Sequence, residues 1–311
     1  MWEKKMETCV VLGASGFIGK NLCPKLARKV RVIAFDRYVC KELTGIENIE
    51  QVTGNFTETS DFSPLLKNVD FVYHLVGTAL PKDGFDYIVT EAEENVIPML
   101  RLLEQMVQCK VKRIIFASSG GTIYGERRDE QCLVTDRLFP QCTYAVHKQV
   151  IETYLDYFNR CTPLRCISAR LANPYGMGQG IERQQGVIPI FAYHILHGLP
   201  ISVLGNGTNK RDYIAMEDMV NALVLLAFYQ GEVSTFNIGS GESHSLLKVI
   251  EKMEQISGRR FIKIDYSPDR VFDVSNVVLD IEETKKELSW KPEISLEQGI
   301  TGVIEGYTNL E

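Results

Sequence analysis

The chain predicts an α/β fold, a doubly wound parallel sheet followed by a smaller α/β lobe. Three observations predict it. Short apolar runs of strand length alternate with helical patterns as far as residue 171, and such alternation covers both faces of a parallel sheet. A glycine-rich turn, "GASGFIG" at 13–19, joins the first strand to the first helix. Beyond residue 172 the rhythm breaks, with Gly and Pro gathered in "NPYGMGQG" and "LGNGTNKRDY".

The strands are read in order at "TCVVLG" (8–13), "RVIAFD" (31–36), "IEQVTG" (49–54), "DFVYHLVG" (70–77), "RIIFASS" (113–119) and "RCISARL" (165–171), short runs rich in β-branched residues. Helical spacing of apolar residues places helices at 17–28, 86–109 and 144–160, then at 187–198, 217–229, 245–256 and 296–308. We expect a first domain over 1–172, to which 212–238 returns, and a second lobe made of 173–211 and 239–311.

With 311 residues and 45% hydrophobic content the chain can fill a sizeable core. Its net charge of −6 is scattered, with no basic tract to follow a phosphate backbone, so nucleic acid is excluded as a partner. The first apolar run is too short for a signal-peptide core or a membrane span. A soluble, cytoplasmic protein is expected, with no membrane partner. The eight cysteines form no CxxC pair and are read as buried free thiols, and the five histidines have no metal-ligand spacing, so no metal is expected.

Gly13, Gly16 and Gly19 end a strand and open a helix. That spacing suits a tight turn, close approach of a pyrophosphate to the backbone, and close helix packing, with phosphates held at the helix N-terminus. The second strand ends on Asp36. A carboxylate there can accept from both adenosine ribose hydroxyls and repel an extra phosphate, which favours NAD, while Arg37 leaves NADP open.

"CTYAVHK" puts Tyr144 and Lys148 four apart on one helical face. A phenol near pKa 10 is a poor base at neutral pH. An ammonium about 4 Å away attracts the phenolate by roughly 4 kcal/mol at an effective dielectric near 20, enough to lower the phenol by up to ~3 units. The pair is therefore expected to shuttle a proton near neutrality.

Together these residues resemble the extended short-chain dehydrogenase/reductase family, in its NAD-dependent nucleotide-sugar epimerase/dehydratase branch. The resemblance spans the chain through "GASGFIG" with Asp36, "HLVG" (74–77), Asn95 in "ENVIPMLRLLE", "SSGGTIYG", "YAVHK", "RLANPYG" (170–176), "GVIPIF" (186–191), "RDYI" (211–214) and "RVFD" (270–273). It implies a Rossmann-like first domain holding NAD through Gly13, Ser15, Gly16, Phe17, Ile18, Gly19, Asp36 and Arg37. Asn55 and Phe56 would lie by the adenine. His74, Leu75, Val76, Gly77, Asn95, Ala117 and Leu171 would line the cofactor, and Tyr144 and Lys148 would reach the nicotinamide ribose. Asn173, Arg211 and Arg270 would grip a nucleotide diphosphate, as arginine forks suit paired phosphate oxygens, with Asp273 nearby and Gly186 and Val187 also against the substrate.

Dehydratases of this family carry an acid/base pair just after the catalytic hydroxyl, where this chain has Gly120, Gly121 and Thr122. Without a carboxylate there, elimination lacks its proton donor and acceptor. The resemblance then implies 4-epimerisation of a UDP-hexose: Tyr144 takes the 4-hydroxyl proton as C4 is oxidised, and the ketosugar turns and is reduced on its other face. The alternatives are a dehydratase, an NAD(P)-dependent 4-ketosugar reductase, or a non-catalytic dinucleotide sensor. The catalytic hydroxyl is Ser119 or Thr122, with Ser119 preferred because it ends the strand, and Gly120 beside it contacts substrate. Val277 stands where the family has a gate residue, and a small side chain there would admit N-acetylhexoses. Helices over 92–108 and 144–160 are expected to pair two subunits as a homodimer.

Overall fold

A computed structural model describes residues 6–78, 87–127, 131–179, 186–268 and 274–309. Its order is β1 (Thr8–Leu12), α1 (Phe17–Ala27), β2 (Arg31–Asp36), β3 (Ile49–Thr53), α2 (Ser63–Leu66), β4 (Phe71–His74), α3 (Ile88–Glu91), α4 (Ile97–Gln108), β5 (Arg113–Ser119), α5 (Thr143–Cys161) and β6 (Arg165–Leu171). There follow β7 (Asn173–Tyr175), α6 (Val187–Leu196), β8 (Ile201–Leu204), β9 (Lys210–Ala215), α7 (Met216–Phe228), β10 (Thr235–Ile238), β11 (Ser243–Ser245), α8 (Leu246–Ser257), β12 (Ile264–Ser267), α9 (Glu282–Leu288) and α10 (Leu296–Thr308).

Seven strands form the main sheet in the order β10-β6-β5-β4-β1-β2-β3. β1 pairs parallel with β2 on one side and with β4 on the other, so the winding reverses direction beside β1. In open α/β sheets that reversal opens the crevice where ligands bind. β1 is buried throughout, which explains its unbroken apolar run. One sheet face packs Val10, Leu12, Val72 and Ile114 against Met99, Leu102 and Met106 of α4 and Ile151 and Leu155 of α5.

The chain divides into two compact units, one of 1–119, 142–170 and 220–236, the other of 120–141, 171–219 and 237–311. Segment 120–141, counted with the first domain from sequence, belongs to the second unit, and the returning stretch is 220–236. Non-local pairing accounts for this: Cys132 bridges Leu279, and Tyr124 donates to Asn237 at 2.6 Å. In the second unit, β11, β9 and β7 form one small sheet and β12 and β8 another. Its core gathers Ile188, Phe191 and Ile195 of α6, Val249 and Met253 of α8, and Ile300 and Val303 of α10.

The helix expected over 86–109 is interrupted: α3 passes into a π-helical turn, Ala92–Val96, before α4 begins. Pro98 lies at the start of α4; having no N–H, it leaves a carbonyl of the preceding turn without its helical donor, and that turn is the wider π turn. The strand expected over 70–77 ends at His74.

Candidate active site

The glycine-rich turn is built by close contacts. Gly13 has φ +86°, and a Cβ on it would lie 3.1 Å from the Leu75 carbonyl carbon and the Val76 nitrogen, while one on Gly19 would lie 2.7 Å from Ala14 Cα. Gly16 caps α1 with no side-chain hydrogen bond, and no acidic residue occupies the first turn, which holds Phe17 and Ile18. This N-terminus presents its N–H groups and positive dipole end with no acid in its own first turn to oppose an anion, the environment a dinucleotide's phosphates need. The Asp36 carboxylate accepts from Ser15 N at 2.8 Å and Arg37 N at 2.7 Å. Ser15 Oγ donates to Tyr38 O at 2.9 Å, and the Arg37 guanidinium lies over the Tyr38 ring. The residues present therefore fit a dinucleotide.

Asn55 sits in a turn, its amide donating to Glu58 at 2.7 Å. Phe56 differs from its expected place: its side chain is a core group, edge-on to His74 with centroids 4.7 Å apart. Leu75 N donates to Leu12 O, and Gly77 has open space around its Cα. Asn95, placed by the π turn, accepts from Thr78 N at 3.1 Å and donates to Thr78 Oγ1 at 2.8 Å, pinning the stretch after β4.

At the start of α5, Tyr144 is hydrogen-bonded to Ser119, the last residue of β5. One turn on, Lys148 Nζ donates to Ala117 O at 2.7 Å and lies 4.5 Å from the Phe116 ring centroid and 5.6 Å from that of Tyr144. His74, Val76, Asn95, Phe116 and His147 join Tyr144 and Lys148 around one pocket. Burial lowers Lys148 to about 8, with Glu152 opposing the shift. Burial raises the Tyr144 phenol, with the Ser119 hydrogen bond opposing it. The depression of Tyr144 by Lys148 expected from the sequence is thus reversed, because loss of water around the phenol outweighs a lysine directed at a carbonyl. Burial thus favours the neutral phenol of Tyr144. His74, with both ring nitrogens unpartnered, is held neutral at about 3 by burial and by the Lys148 charge.

The second unit gathers the other expected groups. Gly120 N donates to Leu171 O at 2.8 Å. A Cβ on Gly121 would lie 3.1 Å from Asn173 Oδ1, so glycine there lets the backbone pass the Asn173 amide. Asn173 pairs with Tyr213 across β7 and β9, two residues from Arg211, which faces His244 on β11. Thr122 lies in this unit, whereas Ser119 lies with Tyr144 in the first. Gly186, with φ +84°, caps α6 just before Val187. The Val277 side chain, at the expected gate position, is 2% exposed, and its N–H donates to Lys210 O. Arg270 and Asp273 lie outside the described residues.

Three features escaped the sequence reading. Arg170 and Glu152 form a buried bidentate pair beside the Lys148 helix face; the i, i+4 step from Lys148 to Glu152 could have revealed half of it. Asp212 accepts from Ser240 N and Oγ, Gly241 N and Leu279 N. Asn237, fully buried, donates to Cys132 O and Asp280 O while accepting from Tyr124. Both hubs join residues far apart in sequence, and no local pattern announces them. All eight cysteines are free, although Cys109 and Cys142 are only partly buried and Cys161 is exposed. Among the described residues no cluster could hold a metal ion, and no helix is long and apolar enough to cross a membrane.

Known proteins resemble the chain in sequence and fold. The chain is 33% identical over 306 residues to a dTDP-4-dehydro-6-deoxyglucose reductase of Escherichia coli, covering 95% of this chain and 96% of the relative. It superposes with a TM-score of 0.90 on the UDP-glucose 4-epimerase of Thermotoga maritima with UDP-glucose, at 30% identity, covering 98% of this chain and all of that one. The Thermus thermophilus UDP-glucose 4-epimerase in complex with NAD gives 0.89 at 27% identity, with 98% and 100% covered. Residues 9–239 match the NAD dependent epimerase/dehydratase family, and with the glycine turn, Asp36 and the Tyr144–Lys148 pair placed as above, the chain belongs to that family, with NAD as its cofactor.

Proposed function

We propose that this enzyme epimerises C4 of a UDP-hexose through a transient 4-keto sugar, with UDP-glucose and UDP-galactose as the primary pair. The observation that carries the reading is the Ser119–Tyr144 hydrogen bond with the Lys148 ammonium 5.6 Å from the Tyr144 ring centroid, Ser119 being followed in sequence by Gly120, Gly121 and Thr122 with no carboxylate. Such a set can exchange one proton with a sugar hydroxyl but offers no second acid/base pair for eliminating water. NAD, when bound, supplies the hydride acceptor and donor. Gly13 to Gly19, Asp36, residues 75–77 and Asn95 would hold it, with Lys148 orienting its ribose. Tyr144 would accept the O4 proton as C4 is oxidised and return it as C4 is reduced, with Ser119 holding the phenolic oxygen. Asn173, Arg211 and Arg270 would hold the diphosphate, with Asp273 nearby. With Val277 buried, admission of N-acetylhexoses has no structural support in that residue and is left to assay.

A second reading, reduction of a nucleotide-linked 4-keto sugar, is favoured by two observations: the Escherichia coli relative bears that activity in its name, and burial raises the Tyr144 phenol, which suits it to donate a proton to a ketone. Incubating the protein with UDP-glucose, UDP-galactose and their N-acetyl forms without added reductant distinguishes the two. Interconversion of the first pair is expected. Its absence, with NADH consumed one-for-one against dTDP-4-keto-6-deoxyglucose, would replace the first reading by the second.

The free thiols support a reducing, cytoplasmic setting. Exposed apolar residues on α3, α4 and α5 support a homodimer.

A further inference from the structure

α5 carries a longer stripe than the proton-handling pair uses. Tyr144, Lys148, Glu152 and Asp156 follow at steps of four, which places them on one helix face. Glu152 lies one turn beyond Lys148 and receives Arg170 from β6, with Arg170 Nε 3.2 Å from each carboxylate oxygen and Nη2 at 2.7 Å from Oε2. Both side chains are 7% exposed. This is a paired fork in a region where water does not screen charge, so each partner's field reaches its neighbours.

We propose that Glu152 and Arg170 are positioning residues that set the charge of Lys148, with Glu152, one turn along the same helix face, favouring the ammonium and Arg170 limiting how strongly it does so. The signs follow from the order along the stripe. Glu152, at i+4, attracts Lys148, and the guanidinium paired with Glu152 offsets part of its negative charge. The other titratable groups facing Lys148 are Tyr144 and His147 on α5, His74 on β4, and Glu91 on α3, whose carboxylate lies 3.5 Å from His147 Nδ1. Burial holds His74 and His147 toward their neutral forms and Tyr144 toward its protonated form. Asp156, one turn further along, is itself raised by burial and by Glu152. Glu152 is thus the charged neighbour that opposes the effect of burial on Lys148, and Arg170 acts through Glu152. A lysine neutral at working pH could not stabilise the phenolate of Tyr144, so the pair bears on the rate through Lys148.

The inference rests on Tyr144 and Lys148 handling the proton, and its test reads Lys148 directly. The full chain is labelled with 13C at lysine Cε, the Lys148 signal is assigned by its loss in Lys148→Arg, and the signal is titrated with pH in the wild type and variants. Glu152→Gln is expected to move the Lys148 titration down by about one pH unit. Arg170→Gln is expected to move it up, and the double variant to fall between them. The alkaline limb of kcat for the reaction found by the product assay should follow in the same order. A pair that merely braces the helix gives one effect whichever partner is lost, so shifts of like sign, or none, overturn the proposal. If a glutamine variant fails to fold, Glu152→Asp and Arg170→Lys retain both charges. The first should then shift the titration slightly down and the second leave it within error of the wild type, and any other order overturns the proposal. If the product assay finds no UDP-hexose activity while the NMR shifts take opposite signs, the substrate reading fails and the electrostatic one stands.

Discussion

Tyr144 carries a hydroxyl whose behaviour is set by burial and by two neighbours. Ser119 hydrogen-bonds it, burial disfavours its anion, and Lys148 stands one turn away. Tyr144→Phe keeps the ring and deletes the proton donor. Turnover is expected to fall by a factor of about 10^2 to 10^4, the usual range for a general acid or base, with dinucleotide binding followed by fluorescence nearly unchanged. Ser119→Ala removes the one hydrogen bond that favours the phenolate, so it should reduce kcat by about tenfold or more, while Thr122→Ala has a smaller effect. A Thr122→Ala loss larger than that of Ser119→Ala would transfer the catalytic hydroxyl to Thr122. The identity of this pair was legible in the spacing of "YAVHK". The direction of the phenol's shift was not, because a sequence gives the distance between two residues along a helix but not where the ammonium points or how much water is displaced.

At the scale of elements, β9 shows how a buried carboxylate locks segments together. Asp212 takes two donors from Ser240 on Oδ1 and the Gly241 and Leu279 amides on Oδ2. Burial nevertheless raises it to about 6. A carboxyl raised above its unfolded value near 3.9 contributes stability that is full below that value and lost as pH rises through about 6. Asp212→Asn turns one oxygen into a donor facing N–H groups, at a cost of about 2 kcal/mol at pH 7. Urea unfolding at pH 7 and pH 5 should show the gap to wild type widening by about 1 kcal/mol on acidification, since the variant cannot take up the proton. A gap that narrows would mean that the hydrogen bonds, not burial, dominate the carboxyl. Elements of this second unit were the least legible. The sheet strands β1 to β6 and the longer helices stand within a few residues of their expected bounds, because each repeats a period long enough to read. β7, β8, β11 and β12 have only three or four residues, too few for any period, and their places are fixed by partners distant in sequence. The π turn was hidden for a different reason: Pro98 signals a break, and only packing decides whether the helix ends or widens.

For the molecule as a whole, the open question of assembly turns on one helix face. Val146, Tyr154 and Tyr157 on α5 are exposed, as are Ile88 and Val89 on α3 and Ile97 on α4, with Val89 at 69% and Tyr157 at 52%. Val146, Val150, Tyr154 and Tyr157 follow at steps of four, four and three, the spacing of a continuous stripe on a helix. The opposite face of α5 is already engaged, with Ile151 and Leu155 in the core beneath the sheet. Val150 is partly buried against the core, but Val146, Tyr154 and Tyr157 are exposed, and a second copy of the same surface is the partner that self-complementary apolar faces most readily accept. Light scattering at micromolar concentration should give twice the chain mass of 35.2 kDa. The double substitution Tyr154→Glu and Tyr157→Glu places two like charges on each face, four across a two-fold contact, and should return the mass to that of one chain with the circular dichroism spectrum unchanged. A wild-type protein that scatters as a single chain would show the stripe to be a tolerated surface, and the variant would then differ from it in neither mass nor turnover.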